Sequence, residues 1–141
     1  MKKKNKNTVF RFKQKLWYIY HAKDEYSIHS PFLFDLFIKA VKHRKTSLEK
    51  SLTSYLQQTM LVYSFSCNEK NLSNILSLRN NNDNITIFIH NIRTCPNNLR
   101  IWQDLQKNNK HACFFLDFFS FGVIIQSKNF KISQSFILKK R

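Results

Sequence analysis

A single glycine, Gly122, in a chain of 141 residues limits what this sequence can fold into. Where a strand turns into a helix beneath a bound nucleotide, glycine lets the backbone approach the ligand closely, and a side chain would block that approach. No glycine precedes Gly122. We therefore expect no phosphate-cradling loop, and the sequence assigns no catalytic, cofactor-binding or metal-binding residue.

The composition predicts a folded but strongly basic protein. Hydrophobic residues make up 43% of the chain and aromatic residues 15%, which is more than disordered chains contain. The length suits one domain. A formal net charge of +16 attracts polyanions whatever their sequence. Charge alone therefore does not separate a nucleic-acid-binding function from non-specific attraction.

Helical spacing dominates residues 9–59, which are predicted to form a helical N-terminal extension. Apolar residues of the first helix recur every three or four positions, so that one face is expected to pack against a core. These residues are Val9, Phe12, Leu16, Ile19 and Tyr20. Ser30 and Pro31 predict the N-cap and first residue of a second helix, and Thr46 or Ser47 caps a third.

Residues 60–141 alternate between strand-like and helical patterns. Short apolar runs predict strands at 60–66, 85–89, 112–116 and 122–126, with a short final extension at 135–138. Helical spacing predicts helices at 69–78 and from 95–96 onward, separated by a polar turn at 79–83. This order implies parallel pairing of the first two strands and an antiparallel hairpin at the end. We expect an α/β fold with about four strands.

The best-placed polar residues are His90 and Asn91. Both follow directly after the predicted strand at 85–89. Ligands of open α/β sheets bind beyond the carboxyl ends of the strands. These two residues are therefore candidates for a ligand-binding edge, although a strand-end histidine is more often an ordinary loop residue.

Other polar residues are better explained by structure than by chemistry. His29, Ser30 and Asp35 contain the groups of a catalytic triad, but the helix cap accounts better for Ser30. Asp117 interrupts the last apolar strands. A position at the hairpin turn is favoured over burial with a hydrogen-bond partner, because a buried unpaired carboxylate is costly.

The cysteines predict neither a metal site nor disulfides. Cys95, His111 and Cys113 match no zinc-binding spacing, and a fourth ligand is missing. The chain has three cysteines, an odd number, and no CxxC motif. Reduced thiols are therefore expected.

Basic residues gather near the start of the chain, where residues 1–8 are predicted to form a basic, frayed tail. The candidate polyanion-binding residues are Lys2, Lys3, Lys4, Lys6, Arg11, Lys13 and Lys15. A solvated tail is favoured over a nucleic-acid-binding arm. No uninterrupted apolar segment follows these charges, and no apolar run reaches the ~20 residues that span a bilayer. We expect a cytoplasmic protein with no membrane partner.

Three stretches resemble a bacterial family of class I S-adenosylmethionine-dependent methyltransferases that has a helical N-terminal extension. Residues 26–36 (YSIHSPFLFDL) are similar to the IHSPFVFD-type start of the family's second helix. Residues 85–92 are similar to its IFIFDDI strand. Residues 102–125 resemble its closing segment, W..I followed by IDLFF.GLVFF. The resemblance implies that residues 60–141 form a partial Rossmann-like methyltransferase sheet.

The same comparison implies loss of activity. His90 and Asn91 stand where the family has its acidic pair. Ser66 stands where the LVFIDGNHR strand of the family, which residues 62–70 resemble more weakly, has an aspartate. The ligand-edge candidates Ser66, His90 and Asn91 thus replace carboxylates.

No segment of the chain resembles the front half of the family's methyltransferase sheet. Residues 42–60 have no room for its first strands, which include the glycine loop and acidic residue that hold S-adenosylmethionine. We therefore expect no retained cofactor site. The strand at 60–66 would then expose an apolar edge, through which we expect self-association, or else marginal stability.

Two functions follow from these observations. The first is a degenerate class I S-adenosylmethionine-dependent methyltransferase-like protein without methyl-transfer activity. The alternative is a small basic binding module for RNA or another polyanion. A third possibility is that association with another chain completes the cofactor site.

Overall fold

The computed structural model describes residues 2–22, 30–107 and 111–140, with side chains from residue 7 onward. The helices are α1 (Lys2–His21), α2 (Pro31–Leu36), which continues as a π-helix (Phe37–Lys42), α3 (Leu48–Leu56), α4 (Glu69–Asn81) and α5 (Pro96–Leu105). The strands are β1 (Leu61–Ser66), β2 (Ile85–His90), β3 (Cys113–Asp117), β4 (Phe121–Gln126) and β5 (Gln134–Ile137). The predicted α/β class is therefore confirmed.

The strands form one five-stranded mixed sheet in the order β1-β2-β4-β3-β5. β1 pairs with β2 in parallel, β3 and β4 form the antiparallel hairpin, and β5 adds to β3 in parallel. β4 also pairs antiparallel with β2. Four strands therefore run in one direction against β4. The predicted final extension forms the fifth strand, and the carboxyl ends of β1, β2, β3 and β5 lie along one edge of the sheet.

Helices cover both faces of the sheet. One core cluster joins α2, the π-helix and α3 to one face, through fully buried residues such as Leu33, Phe37 and Leu52. The second cluster joins α4 and α5 to the other face, around Ile75 and Trp102. This three-layer arrangement follows from β2, β3 and β4, whose residues are buried on both faces and are apolar in nearly continuous runs.

Helix caps occur where the sequence places capping residues. The Ser30 side chain accepts a hydrogen bond from the Leu33 N–H at 3.4 Å, and Pro31 begins α2. Ser47, rather than Thr46, caps α3 by accepting from the Lys50 N–H at 3.4 Å. These side chains satisfy N–H groups that have no partner within the helix. The cap interpretation of Ser30 is confirmed, while His29 lies outside the described residues.

Two boundary predictions were wrong. The tail predicted at residues 1–8 is helical from Lys2 onward, because no proline or glycine stops the helix and lysine favours it. The turn predicted at 79–83 begins late, since α4 continues to Asn81. Arg79 is buried and donates a 2.9 Å hydrogen bond to the Leu105 carbonyl. The tertiary contact thus holds the last turn of α4 in place.

The first helix also presents the opposite face from the one predicted. Its apolar residues Val9, Phe12, Leu16, Ile19 and Tyr20 are exposed. α1 lies across the carboxyl edge of the sheet, where it makes polar contacts and an aromatic contact between Tyr18 and Phe119, because the other helices already cover both apolar faces. The predicted packing of this apolar face against a core was therefore wrong.

β1 lies at the edge of the sheet, as the sequence analysis predicted for the strand at 60–66. No other described strand pairs with its outer edge, and Leu61 and Tyr63 are exposed. The apolar edge is thus present, while self-association through it stays a prediction. Among the described residues, no helix is long and apolar enough to cross a membrane.

Candidate functional site

The sequence-predicted ligand residues gather at the carboxyl edge of the sheet. Ser66 ends β1 and is the register partner of His90, which ends β2. Asn91 follows directly, and Asp117 ends β3 on the same edge. Ser66 and Asn91 are exposed and His90 is partly buried. The structure therefore brings the three predicted residues together, while a ligand role for them stays a prediction.

His90 is held by two side chains that the sequence did not indicate. The Ser64 Oγ lies 2.6 Å from His90 Nε2, and the Glu49 Oε1 lies 3.6 Å from His90 Nδ1. The alternation of side chains along β1 puts Ser64 on the same face as Ser66. That periodicity could have identified Ser64. Glu49 lies on α3, and only the packing of α3 against the sheet brings it near His90.

The serine, histidine and glutamate follow the order of a hydrolytic triad, with nucleophile, base and acid. When the Nδ1 proton faces Glu49, Nε2 is free to accept a hydrogen bond from the Ser64 hydroxyl. However, Ser64 is exposed, and it lines neither of the two cleft-like cavities lined by Phe32, Asp35 and Tyr55 and by Gln14, Arg93 and Asp117. Because acyl transfer needs an enclosed site with oxyanion donors, we assign this group a role in positioning His90.

Asn91 has a structural explanation. Its backbone is left-handed, with φ at 64°, a region that asparagine tolerates better than most residues. Its N–H donates to the Ser120 carbonyl at 2.9 Å, and its carbonyl accepts from the Asn98 Nδ2 at 3.0 Å. Asn91 thus joins the end of β2 to the β3–β4 turn and to α5.

Asp117 forms a buried ion pair. Its carboxylate is 2.6 Å and 2.5 Å from the two terminal nitrogens of Arg93, and both side chains are less than one-tenth exposed. Arg93 also donates to the Phe119 carbonyl at 2.9 Å and to the Gln14 Oε1 at 3.2 Å. The prediction of a turn position for Asp117 was therefore wrong. Burial is tolerated because Arg93, which lies on the loop after β2, supplies the countercharge.

Phe119, in the β3–β4 turn, has a strained backbone. Its φ of 76° is rare for a bulky residue and costs about 1–2 kcal/mol. The turn is held by the Phe118 N–H, which donates to the Phe121 carbonyl at 3.0 Å. The Phe119 ring packs 5.4 Å from the Tyr18 ring of α1, between their centroids. The strain therefore places an aromatic ring beneath α1.

Lys15 and Lys140 lie over this ring, and Arg44 contacts Lys140; these three cations are called here the edge cations. The Lys15 Nζ lies 4.8 Å and the Lys140 Nζ 5.9 Å from the Phe119 ring centroid. Arg44 donates to the Lys140 carbonyl and, at 2.8 Å, to the Val41 carbonyl. Burial lowers the pKa of Lys140 below its ordinary value, and the charges of Lys15 and Arg44 lower it further.

Of the predicted polyanion-binding residues, Lys15 is thus the one whose contacts place it among the edge cations. Arg11 lines a shallow cleft of about 390 Å³ together with Lys15 and Phe119. Lys13 is exposed on α1. The side chains of Lys2, Lys3, Lys4 and Lys6 lie outside the described residues. The sequence missed Arg44 and Lys140, because neither lies in the basic N-terminal run.

The cysteines are placed for packing. Cys67 and Cys113 are buried, and all three cysteines are free thiols. Burial raises the pKa of the Cys67 thiol to about 11, so that little reactive thiolate forms near neutral pH. Within the described part of the chain, no group of three histidine, cysteine, aspartate or glutamate side chains is arranged to hold a metal ion.

Comparison with known proteins gives no relative to guide the assignment. No protein-family model, no curated protein and no solved structure matches this chain.

Proposed function

We propose that the protein is a degenerate class I S-adenosylmethionine-dependent methyltransferase-like protein without methyl-transfer activity. The three sequence stretches that resemble the family support this proposal. The parallel pair β1–β2 followed by the β3–β4 hairpin also agrees with the later half of such a sheet. The proposal rests on the sequence resemblance, because a mixed sheet by itself occurs in many unrelated proteins.

The observation that best supports loss of the cofactor site is the chemistry of the carboxyl edge. Ser66, His90 and Asn91 supply a hydroxyl, an imidazole and an amide there, where the family has carboxylates. Gly122 lies inside β4 with the Trp102 ring directly over it, and so it is not available to a strand-to-helix loop. An edge without glycine gives a nucleoside no close backbone approach.

Isothermal titration of the full chain with S-adenosylmethionine tests this proposal. We expect no saturable heat of binding, because the glycine loop that would contact the methionine and ribose is missing. The variant His90→Asp/Asn91→Asp, which restores the acidic pair, is expected to behave in the same way. Micromolar binding by the unaltered chain would overturn the proposal.

The edge cations support a second candidate function, the binding of RNA or another polyanion. Lys140 is partly buried, and burial together with the charges of Lys15 and Arg44 lowers its pKa. The nearest buried carboxylate, Asp117, is already paired with Arg93. Glu49 offsets part of the positive charge at Lys140. A phosphate group would neutralise the remaining charge.

A salt series with a fluorescently labelled structured RNA tests this second function. The variant Lys15→Gln/Lys140→Gln is expected to bind about tenfold more weakly and to reduce the salt slope by about one to two units. The matched control Lys50→Gln/Lys70→Gln removes the same charge from exposed positions on α3 and α4. Equal weakening by both variants would show attraction by net charge alone and would contradict a defined site.

A further inference from the structure

The outer side of α1 carries an exposed apolar stripe, defined by Val9, Phe12, Leu16, Ile19 and Tyr20 and called here the outer stripe. These side chains are between 54% and 85% exposed. They recur at the spacing that places residues on one side of a helix. Large apolar residues grouped on a surface mark an interaction site more often than chance exposure.

The orientation of α1 is set by polar contacts on its other side. The Tyr18 hydroxyl donates to the Leu138 carbonyl, and Gln14 accepts from Arg93. Tyr18 is the one residue of this helix that the structure buries among those whose side chains it describes. Rotating the outer stripe toward the sheet would break these contacts and leave Arg93 with fewer partners. The stripe is therefore held toward solvent.

The positive charge around the outer stripe favours a negatively charged partner. α1 has no acidic residue along its 20 positions. At about 100° per residue, Lys13 and Lys15 lie on the two borders of the stripe. Long basic side chains beside an apolar helical surface reach anionic headgroups while the apolar residues enter the lipid boundary. Tyr20 and the neighbouring Trp17 are residue types that favour such boundaries.

We propose that α1 docks in the plane of an anionic lipid surface, with the outer stripe at the boundary between headgroups and acyl chains. The helix is long enough for an interfacial helix, about 30 Å. A second copy of the chain is a poorer occupant, because two chains of +16 repel each other. The sequence-based expectation of no membrane partner rested on the absence of a spanning segment, which an interfacial helix does not need.

Sedimentation with lipid vesicles tests the proposal. The full chain is expected to bind vesicles of equal parts phosphatidylglycerol and phosphatidylcholine, and to bind pure phosphatidylcholine much more weakly. The variant Phe12→Ser/Leu16→Ser is expected to lower the partition coefficient on the anionic vesicles roughly tenfold or more, because it removes two of the five apolar side chains of the outer stripe. The control Leu76→Ser, which changes an exposed leucine on α4, should stay within about twofold.

Three outcomes would overturn the proposal. One is no binding to anionic vesicles, and another is equal binding by Phe12→Ser/Leu16→Ser, which would indicate charge alone. The third is a dimer without lipid that this variant converts to a monomer, which would assign the outer stripe to a second copy. Thermal melting by circular dichroism should be unchanged in the variant. RNA affinity should be unchanged in a second variant, Leu16→Ser/Ile19→Ser, whose residues do not line the cleft beside Lys15 and Phe119, so that failure here is distinct from failure of the polyanion-binding function.

Discussion

Replacing Arg93 by methionine should lower the free energy of unfolding by about 3–5 kcal/mol, because Asp117 would stay buried without its countercharge. The guanidinium contacts both carboxylate oxygens, the Phe119 carbonyl and Gln14. It therefore joins α1, the β3–β4 turn and the end of β3. Urea unfolding followed by circular dichroism measures the effect.

The exposed pair Lys107–Asp104 provides the control for Arg93. Its two charged groups are 3.7 Å apart and mostly solvent-exposed. Lys107→Met should change the free energy of unfolding by less than about 0.5 kcal/mol. The double variant Arg93→Met/Asp117→Asn should recover part of the loss, because no uncompensated charge remains buried. An Arg93→Met variant as stable as Lys107→Met would show that the buried pair does not stabilise the fold.

Replacing Gly122 by alanine should lower the free energy of unfolding by about 3 kcal/mol, because the new methyl group would overlap a tryptophan ring. A Cβ at this position would lie 2.4 Å from the Trp102 Cη2 and 2.6 Å from both Cζ2 and Cζ3. Trp102 is fully buried beneath the sheet and has little room to move. Thermal or urea unfolding of the variant tests this expectation.

A second substitution identifies the ring as the cause. Trp102→Phe removes the part of the indole that the new methyl group would meet, at the cost of a cavity. In that background, Gly122→Ala should cost about 1 kcal/mol or less, so that the two substitutions are strongly coupled. If Gly122→Ala lowered the free energy of unfolding equally in both backgrounds, the cause would lie in the β4 backbone, and the explanation by steric overlap would be wrong.

Gly122 shows how far sequence reasoning reached. As the only glycine of the chain, it led us to expect no phosphate-cradling loop, and that expectation stays a prediction. Its assignment to the terminal hairpin agrees with its position in β4, opposite Asp117. The reason for glycine there could not be read from the sequence, because Trp102 reaches it from a helix that follows another strand.

The candidate site was predictable in part. His90 and Asn91 could be placed at the carboxyl edge because the strand before them is a clear apolar run with a polar end. The alternation along β1 could also have identified Ser64. Glu49, Arg44 and Lys140 could not be placed, since each belongs to a different segment and their proximity depends on the tertiary packing.

The sequence by itself determined the element types, the α/β class, the parallel pairing of β1 with β2, the β3–β4 hairpin, the Ser30 cap and the strong positive charge. These properties depend on local periodicity, capping chemistry and composition, and residues close together in the sequence are enough to predict them. Only the tertiary structure decided which face of α1 is buried, which residue pairs with Asp117, and what surrounds Phe119. Those outcomes depend on competition among distant segments for the same contacts. At α1, the hydrogen bonds of Gln14 and Tyr18 and the ring contact of Tyr18 with Phe119 outweighed the apolar pattern, and the outer stripe was left facing solvent.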